Sequence, residues 1–181
     1  MKKHSISFLL TIFLSTLIFA QEVSTGGILY GENWACLVTA PKGWIMDQSS
    51  FAQYGIYGLF YEETKKLGGN TPIIYINTTK LSDATDKAMN NYISYDINSY
   101  IQRGAEVQEA KLTGIKEKEL KTYQIISGNN IELCSYTRYK NCCFLIILTA
   151  HTQEDIKSCI PKLKEVINNM NYMDTIVSKE E

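Results

Sequence analysis

The residues best suited to chemistry in this chain are Cys142, Cys143 and His151. An imidazole can activate a thiol as a nucleophile only when the two side chains lie within hydrogen-bond reach. Cys143 and His151 are eight positions apart on one extended segment, which corresponds to roughly 26 Å at ~3.3 Å per residue. Cys142 is farther from His151, and Cys159 lies about two turns into the next predicted helix. The sequence therefore predicts no Cys–His catalytic pair.

The chain contains five cysteines, and an odd number leaves at least one thiol outside any set of disulfides. Cys142 and Cys143 are adjacent, so they would face opposite sides of a strand and need different partners. We favour the interpretation that several cysteines are small buried hydrophobic residues, because free cysteine is often buried. The alternative is a thiol-active or redox protein that uses Cys142 or Cys143 as its reactive thiol.

The sequence lacks the motifs of several other common functional sites. The adjacent cysteines lack the C-x-x-C spacing that lets two thiolates bind one zinc ion, and the chain has neither a phosphate-binding loop of the G-x-x-x-x-G-K type nor a G-x-S-x-G motif. The carboxylate pairs Glu62–Glu63 and Asp83/Asp86 are typical of solvated strand ends and helix caps. We therefore expect no catalytic residues, no metal and no cofactor.

The amino terminus has the features of a secretory signal peptide over residues 1–20. A basic Met1-Lys2-Lys3 start precedes the apolar stretch Ile6–Phe19, and a small residue, Ala20, precedes the polar Gln21. We predict cleavage between Ala20 and Gln21. The alternative of an uncleaved membrane anchor is less favoured, because about 20 apolar residues are needed to span a bilayer. The expected location is therefore the periplasm or the extracellular medium.

Removal of residues 1–20 would leave 161 residues, enough for one domain with a sizeable core. The 18 basic and 19 acidic residues lose Lys2 and Lys3 with that segment, which leaves a net charge of −3. A weakly acidic chain without a basic cluster is unsuited to nucleic acid or to an anionic membrane surface. We expect no transmembrane segment after cleavage, and a partner that is an envelope or extracellular protein or a small ligand.

The central element is predicted to be a strand over Cys142–Ala150. Its residues are apolar on both alternating faces, so it needs a covering layer on each side. The turn at Lys140-Asn141 joins it to the preceding strand, and this turn would place Tyr139 opposite Cys142 and Tyr136 opposite Leu145. The other predicted strands are Trp34–Ala40, Trp44–Met46, Tyr54–Tyr61, Ile73–Asn77, Val107–Lys116, Glu119–Ser127 and Ile131–Tyr139.

Two helices are predicted from apolar residues at helical spacing. The first covers 83–102, begins near Ser82 or Asp83 and ends at Arg103-Gly104. The second begins at Thr152 and extends to Met170. The predicted fold class is α+β, with an antiparallel sheet of about six to seven strands flanked by helices on both faces as an α/β/α sandwich. We expect a flexible arm at 21–29, one domain at 30–173 and a disordered tail at 174–181.

This order of elements resembles the PsbP/DcrB-like group of domains, whose fold is shared with Ran-binding proteins of the Mog type. The early strand ending in Ala40-Pro41-Lys42-Gly43-Trp44 is similar to the opening "strand, then P-x-G-W" of many exported members. The order of the strand at 73–77, the helix at 83–102, the four-strand meander and the terminal helix containing Pro161 is similar as well. The resemblance implies an exported accessory or interaction module and carries no catalytic motif.

The leading functional prediction is an exported, non-enzymatic accessory or binding protein. Aromatic residues near the early loop form the candidate interface, because tyrosine and tryptophan are enriched in protein contacts. The alternative is that these residues roof one end of the core. A third possibility is a small-ligand carrier that uses a cavity between sheet and helix. The candidate interface residues are Trp44, Phe51, Tyr54, Tyr57 and Tyr61.

Overall fold

The computed structural model describes residues 23–116 and 119–174. The predicted signal peptide, its cleavage site between Ala20 and Gln21, and the predicted tail after Asp174 lie outside the described residues. The elements in chain order are β1 (Val23–Ser24), β2 (Gly26–Tyr30), β3 (Ala35–Thr39), β4 (Trp44–Asp47), a 3-10 turn (Ala52–Tyr54), β5 (Ile56–Glu62), β6 (Ile73–Lys80), α1 (Asp86–Gln102), β7 (Glu106–Ala110), β8 (Lys121–Ser127), β9 (Asn130–Tyr139), β10 (Cys142–Ala150), α2 (Gln153–Asn169) and β11 (Asn171–Met173).

The strands form two antiparallel sheets. In the part of the chain that the structure describes, the main sheet has the order β1-β4-β5-β6-β10-β9-β8-β7. Its outermost strand β1 has only two residues, so seven strands of ordinary length remain, which agrees with the six to seven predicted. The α+β class is confirmed. The second sheet, of order β11-β3-β2, is absent from the sequence-based prediction, which placed the strand at 34–40 in a single sheet.

Strand β10 lies in the middle of the main sheet, between β6 and β9. The predicted hairpin register is confirmed, because Tyr139 pairs with Cys142 and Tyr136 pairs with Leu145. Successive side chains of β10 belong to two separate buried clusters, as alternation along a strand requires. One cluster contains Phe144, Ile146 and Leu148 together with α2 residues Ile156, Leu163 and Ile167. The other contains Cys143, Leu145 and Ile147 together with α1 residues Ala88, Met89 and Ile93.

Both helices begin as their sequences predict, with small shifts in position. The hydroxyl oxygen of Thr85 accepts from the amide of Ala88 and starts α1 three residues later than the prediction of residue 83. Asp83 instead accepts from the backbone amide of Thr85 and so stabilises the turn before the helix. In α2 the predicted cap Thr152 accepts from the amide of Asp155. These contacts satisfy amide groups that the first turn of a helix leaves unpaired.

The prediction of a flexible arm at 21–29 is wrong for the residues that the structure describes. Residues 26–30 form β2, which pairs with β3 along its whole length, and Leu29 is buried in the core. The two strands are joined by a tight turn in which the amide of Gly31 donates to the carbonyl of Trp34 over 2.9 Å. The paired backbone and the buried Leu29 side chain hold this segment on the domain.

Candidate protein-binding surface

The small sheet covers part of the main sheet with its inner face. Leu29, Cys36 and Val38 point inward and belong to the same buried cluster as Phe144 of β10. Tyr172 of β11 also points inward, and its ring centroid lies 4.9 Å from that of Phe144. These contacts anchor the small sheet by apolar burial, at roughly 25 cal/mol per Å² of apolar surface removed from water.

A chain of aromatic rings closes one end of this contact. Trp34 lies edge-on to Phe144, with the ring centroids 4.7 Å apart, and lies 5.5 Å from the ring of Tyr57. Tyr172 stacks on Tyr139 with an interplanar angle of 11°. Edge-to-face and stacked pairs of this kind stabilise by about 0.5–1.5 kcal/mol beyond the area they bury. The ring of Trp34 therefore packs the β2–β3 turn against the main sheet.

The outer face of the small sheet is apolar and exposed. We call it the small-sheet face and define it by Ile28, Tyr30, Leu37 and Met173, which are 37%, 62%, 43% and 40% exposed. Ile28 pairs directly with Leu37, while Tyr30 and Met173 both pair with Ala35 from its two sides. The four side chains therefore lie on neighbouring strands and form one patch. Large apolar residues scattered singly on a surface are ordinary, but a contiguous group of them is typical of an interaction site.

The residues that the sequence predicted as an interface separate in the structure. Trp44 and Tyr61 are 7% and 5% exposed, so the prediction that they contribute to a contact surface is wrong for these two residues. Trp44 packs in the cluster beneath α2, which is the alternative that the sequence left open. Phe51 and Tyr57 are half-buried, and only Tyr54 is well exposed, at 69%. Phe51 and Tyr54 remain neighbours, with ring centroids 6.3 Å apart.

Sequence reasoning missed the small-sheet face. The sequence signal that could have found it is the strand-favouring run Ile28-Leu29-Tyr30. In the structure Leu29 is buried and the outer two residues are exposed. The preceding Gly26-Gly27 pair is typical of a loop, so this segment was predicted as part of a flexible arm. A Cβ at Gly27 would lie 2.3 Å from Oε1 of Gln48, so a larger residue there would require this side chain to move.

All five cysteines are buried and free in the structure. The interpretation that several cysteines are small buried residues is therefore confirmed with respect to their burial. Cys142 and Cys143 belong to different clusters on opposite sides of β10, as predicted. Burial raises the pKa of Cys142 to about 11, and burial raises the pKa of Cys143 further. A raised pKa lowers the thiolate fraction, which is unfavourable to a reactive thiol.

The remaining sequence candidates lie where local structure explains them. His151 is exposed between β10 and α2, with Nδ1 3.2 Å from the carbonyl oxygen of Asn129. Within residues 23–116 and 119–174, no group of three or more histidine, cysteine or acidic side chains is placed to hold a metal ion. No helix in these ranges has the length and apolarity needed to cross a bilayer.

The fold is similar to that of a solved cyanobacterial PsbP protein. The solution structure of cyanobacterial PsbP (CyanoP) from Synechocystis sp. PCC 6803 matches with a TM-score of 0.50 and 13% sequence identity. The match covers 83% of this chain and 94% of that chain. No family model matches the sequence, and no curated protein matches it significantly. The comparison supports a PsbP-like fold, which is the coarser part of the resemblance predicted from the sequence.

Proposed function

We propose that this protein is an exported, non-enzymatic accessory protein that binds a partner protein through the small-sheet face. The observation that carries the proposal is the exposure of Ile28, Tyr30, Leu37 and Met173 on adjacent strands of one small sheet. Covering these side chains would remove apolar surface from water, which is the main favourable term in protein association. The inner face of the sheet is packed against the main sheet, so little ordering is needed on binding.

The partner is expected to present an uncharged apolar surface. No outward-facing position of the small sheet carries a charge, and an unpaired charge buried against such a face would be costly. Anionic membranes and nucleic acids are bound through clustered lysine and arginine, which this face lacks. A protein surface is therefore the favoured occupant. The outward positions are Gly26, Ile28, Tyr30, Ala35, Leu37, Thr39, Asn171 and Met173.

We also infer that the domain is an α/β/α sandwich of the DcrB and Mog type and that it is exported. The separate clusters of α1 and α2 on the two sides of β10 support the sandwich, although α2 shares its side with the small sheet.

Export is supported by the basic start and apolar stretch of residues 1–20. The intact mass of the protein from the envelope fraction tests whether it is exported and cleaved. A mature chain that begins at Gln21 is expected, and a full-length cytoplasmic chain would contradict it.

The binding proposal is tested with the double variant Ile28→Ser/Leu37→Ser. The matched control is Ile101→Ser, which removes an apolar side chain that is 51% exposed on α1. Partners are identified by crosslinking in the envelope and mass spectrometry, then purified and titrated against each variant. We expect affinity to fall at least tenfold for the double variant, which corresponds to about 1.4 kcal/mol, and to be unchanged for the control.

Three results would overturn the proposal. One is equal affinity of the double variant and the control for every purified partner. Another is a self-association that the double variant abolishes, because the occupant would then be a second copy of this chain. The third is binding to phospholipid vesicles that depends on Ile28 and Leu37, since this would make the face a lipid contact.

A further inference from the structure

A second site, separate from the small-sheet face, lies where α1 ends against the main sheet. A cavity of about 240 Å³ opens between the carboxyl end of α1 and the β8–β9 hairpin. Tyr100, Arg103 and Glu132 line it, and Ser127 and Asn130 lie at its exposed rim.

The Glu132 carboxylate is the acidic group of this cavity. Its Oε2 accepts from the Tyr100 hydroxyl over 3.2 Å and from the Cys134 thiol over 3.8 Å. Burial raises the pKa of Glu132, and the nearby Asp96 raises it further, while Tyr100, Cys134 and Arg103 oppose the rise. Among the described residues, Glu132 forms no ion pair. A half-buried carboxylate that is in no ion pair can be stabilised by a cationic group of a bound ligand.

Arg103 is the basic group of the cavity, and it is likewise without an ion pair among the described residues. Its guanidinium carbon lies 4.8 Å from the centroid of the Tyr100 ring. One guanidinium nitrogen approaches the Ser99 hydroxyl at 3.5 Å. A guanidinium over an aromatic face is attracted by the ring and retains donors for another ligand.

Tyr100 therefore contacts both charged groups of the cavity. Its ring face supports the guanidinium of Arg103, and its hydroxyl group holds the carboxylate of Glu132. Both charges border one cavity, and among the described residues no ion pair joins them, so the cavity suits a small molecule that carries both signs. A ligand with only one charge would satisfy one side and leave the other unpaired.

We propose that this cavity binds a small zwitterion of the free α-amino acid class. The ammonium group would pair with Glu132, and the carboxylate would pair with Arg103, which can donate two parallel hydrogen bonds to it. Polar groups of Ser127 and Asn130 at the rim would contact the ligand side chain. The site lies in the cluster beneath α1, whereas the small-sheet face is tied to the opposite cluster. It therefore adds a ligand to the proposed accessory role.

The test uses three matched small molecules on the intact mature chain. L-alanine carries both charges, ethylamine lacks the carboxylate and propionate lacks the amine. Binding is followed by amide NMR shifts of Ser127 and Asn130 and by titration calorimetry. We expect saturable shifts with L-alanine, and at least tenfold weaker binding of ethylamine and propionate.

Variants separate this ligand site from nonspecific association. Glu132→Gln and Arg103→Gln should each weaken L-alanine binding at least tenfold, while the exposed edge-strand control Glu109→Gln should bind like wild type. Ser127→Trp, placed at the exposed rim, should block the cavity without removing either charge, so it remains informative if a charge variant folds poorly. Absence of saturable L-alanine shifts would overturn the proposal. Equal binding of L-alanine by wild type and Glu132→Gln would do so as well. Ethylamine binding as tightly as L-alanine would also refute it.

Discussion

Alkylation of the folded protein should be slow at every cysteine, and the structure gives the size of the effect for Cys142. Burial raises the pKa of this thiol from 9.0 to about 11. Well below pH 9 the thiolate fraction of Cys142 is therefore about a hundredfold lower than that of an ordinary cysteine. The rate of alkylation falls with it, because the thiolate is the reacting form. The side chain is also only 5% exposed, so reagent access reduces the rate further.

Iodoacetamide labelling from pH 5 to 9, followed by mass spectrometry, measures this directly. We expect modification of Cys142 at least a hundredfold slower than that of free cysteine, and rapid modification of all five cysteines once the protein is denatured. The variants Cys142→Ala and Cys143→Ala assign any residual signal. Fast labelling of either thiol in the folded protein near neutral pH would refute the burial reasoning and favour the thiol-redox alternative.

Three further changes have outcomes that follow from individual contacts. Gly31→Ala should destabilise by about 1–3 kcal/mol in urea unfolding, because overpacking forces a rigid neighbour to move and a Cβ there would lie 2.2 Å from Cε2 of buried Trp34. Tyr136→Phe should cost about 1.5–3 kcal/mol, because the buried hydroxyl donates to Asp96 over 2.7 Å. Glu132→Gln should raise the melting temperature at neutral pH, since burial raises the pKa of Glu132 and the ionised form disfavours folding. This last difference should shrink as pH falls below the unfolded pKa of about 4.5, where both states are protonated.

Controls and contrary outcomes are specific to each change. Tyr95→Phe removes a hydroxyl from a side chain that is 75% exposed and should leave the free energy of unfolding unchanged. An unchanged stability of Gly31→Ala would mean that Trp34 is not fixed by its ring contacts. A Tyr136→Phe variant as stable as wild type would show that the hydrogen bond to Asp96 does not stabilise the fold. A lower melting temperature of Glu132→Gln at neutral pH would show that the ionised carboxylate stabilises the fold.

The main sheet and both helices are predictable from sequence because their signals are local. The apolar period defines the helices, and the short Lys140-Asn141 turn fixes the register of β9 and β10. Lys140 has a positive φ of 54°, which is suited to a tight hairpin turn. Strand bounds differ most for β7, which ends at Ala110 and not at Lys116 as predicted.

The small sheet was missed because it depends on contacts between distant segments. β11 has three residues and follows α2 directly, so no local pattern separates it from the end of the helix. It pairs with β3, more than a hundred residues earlier in the chain. The candidate interface was misplaced for a related reason. Trp44 and Tyr61 are aromatic residues on strands of the main sheet, and sequence alone does not show which aromatic side chains the tertiary fold buries.

The proposed accessory role depends most on a partner protein that occupies the small-sheet face. The most direct measurement places a photo-crosslinking amino acid at Leu37 and, as a control, at Tyr95 on the exposed side of α1. After irradiation in the native envelope, we expect one defined heterologous protein to be joined to position 37 and not to position 95. Equal products from both positions, or products at position 37 that contain only lipid or a second copy of this chain, would contradict the account.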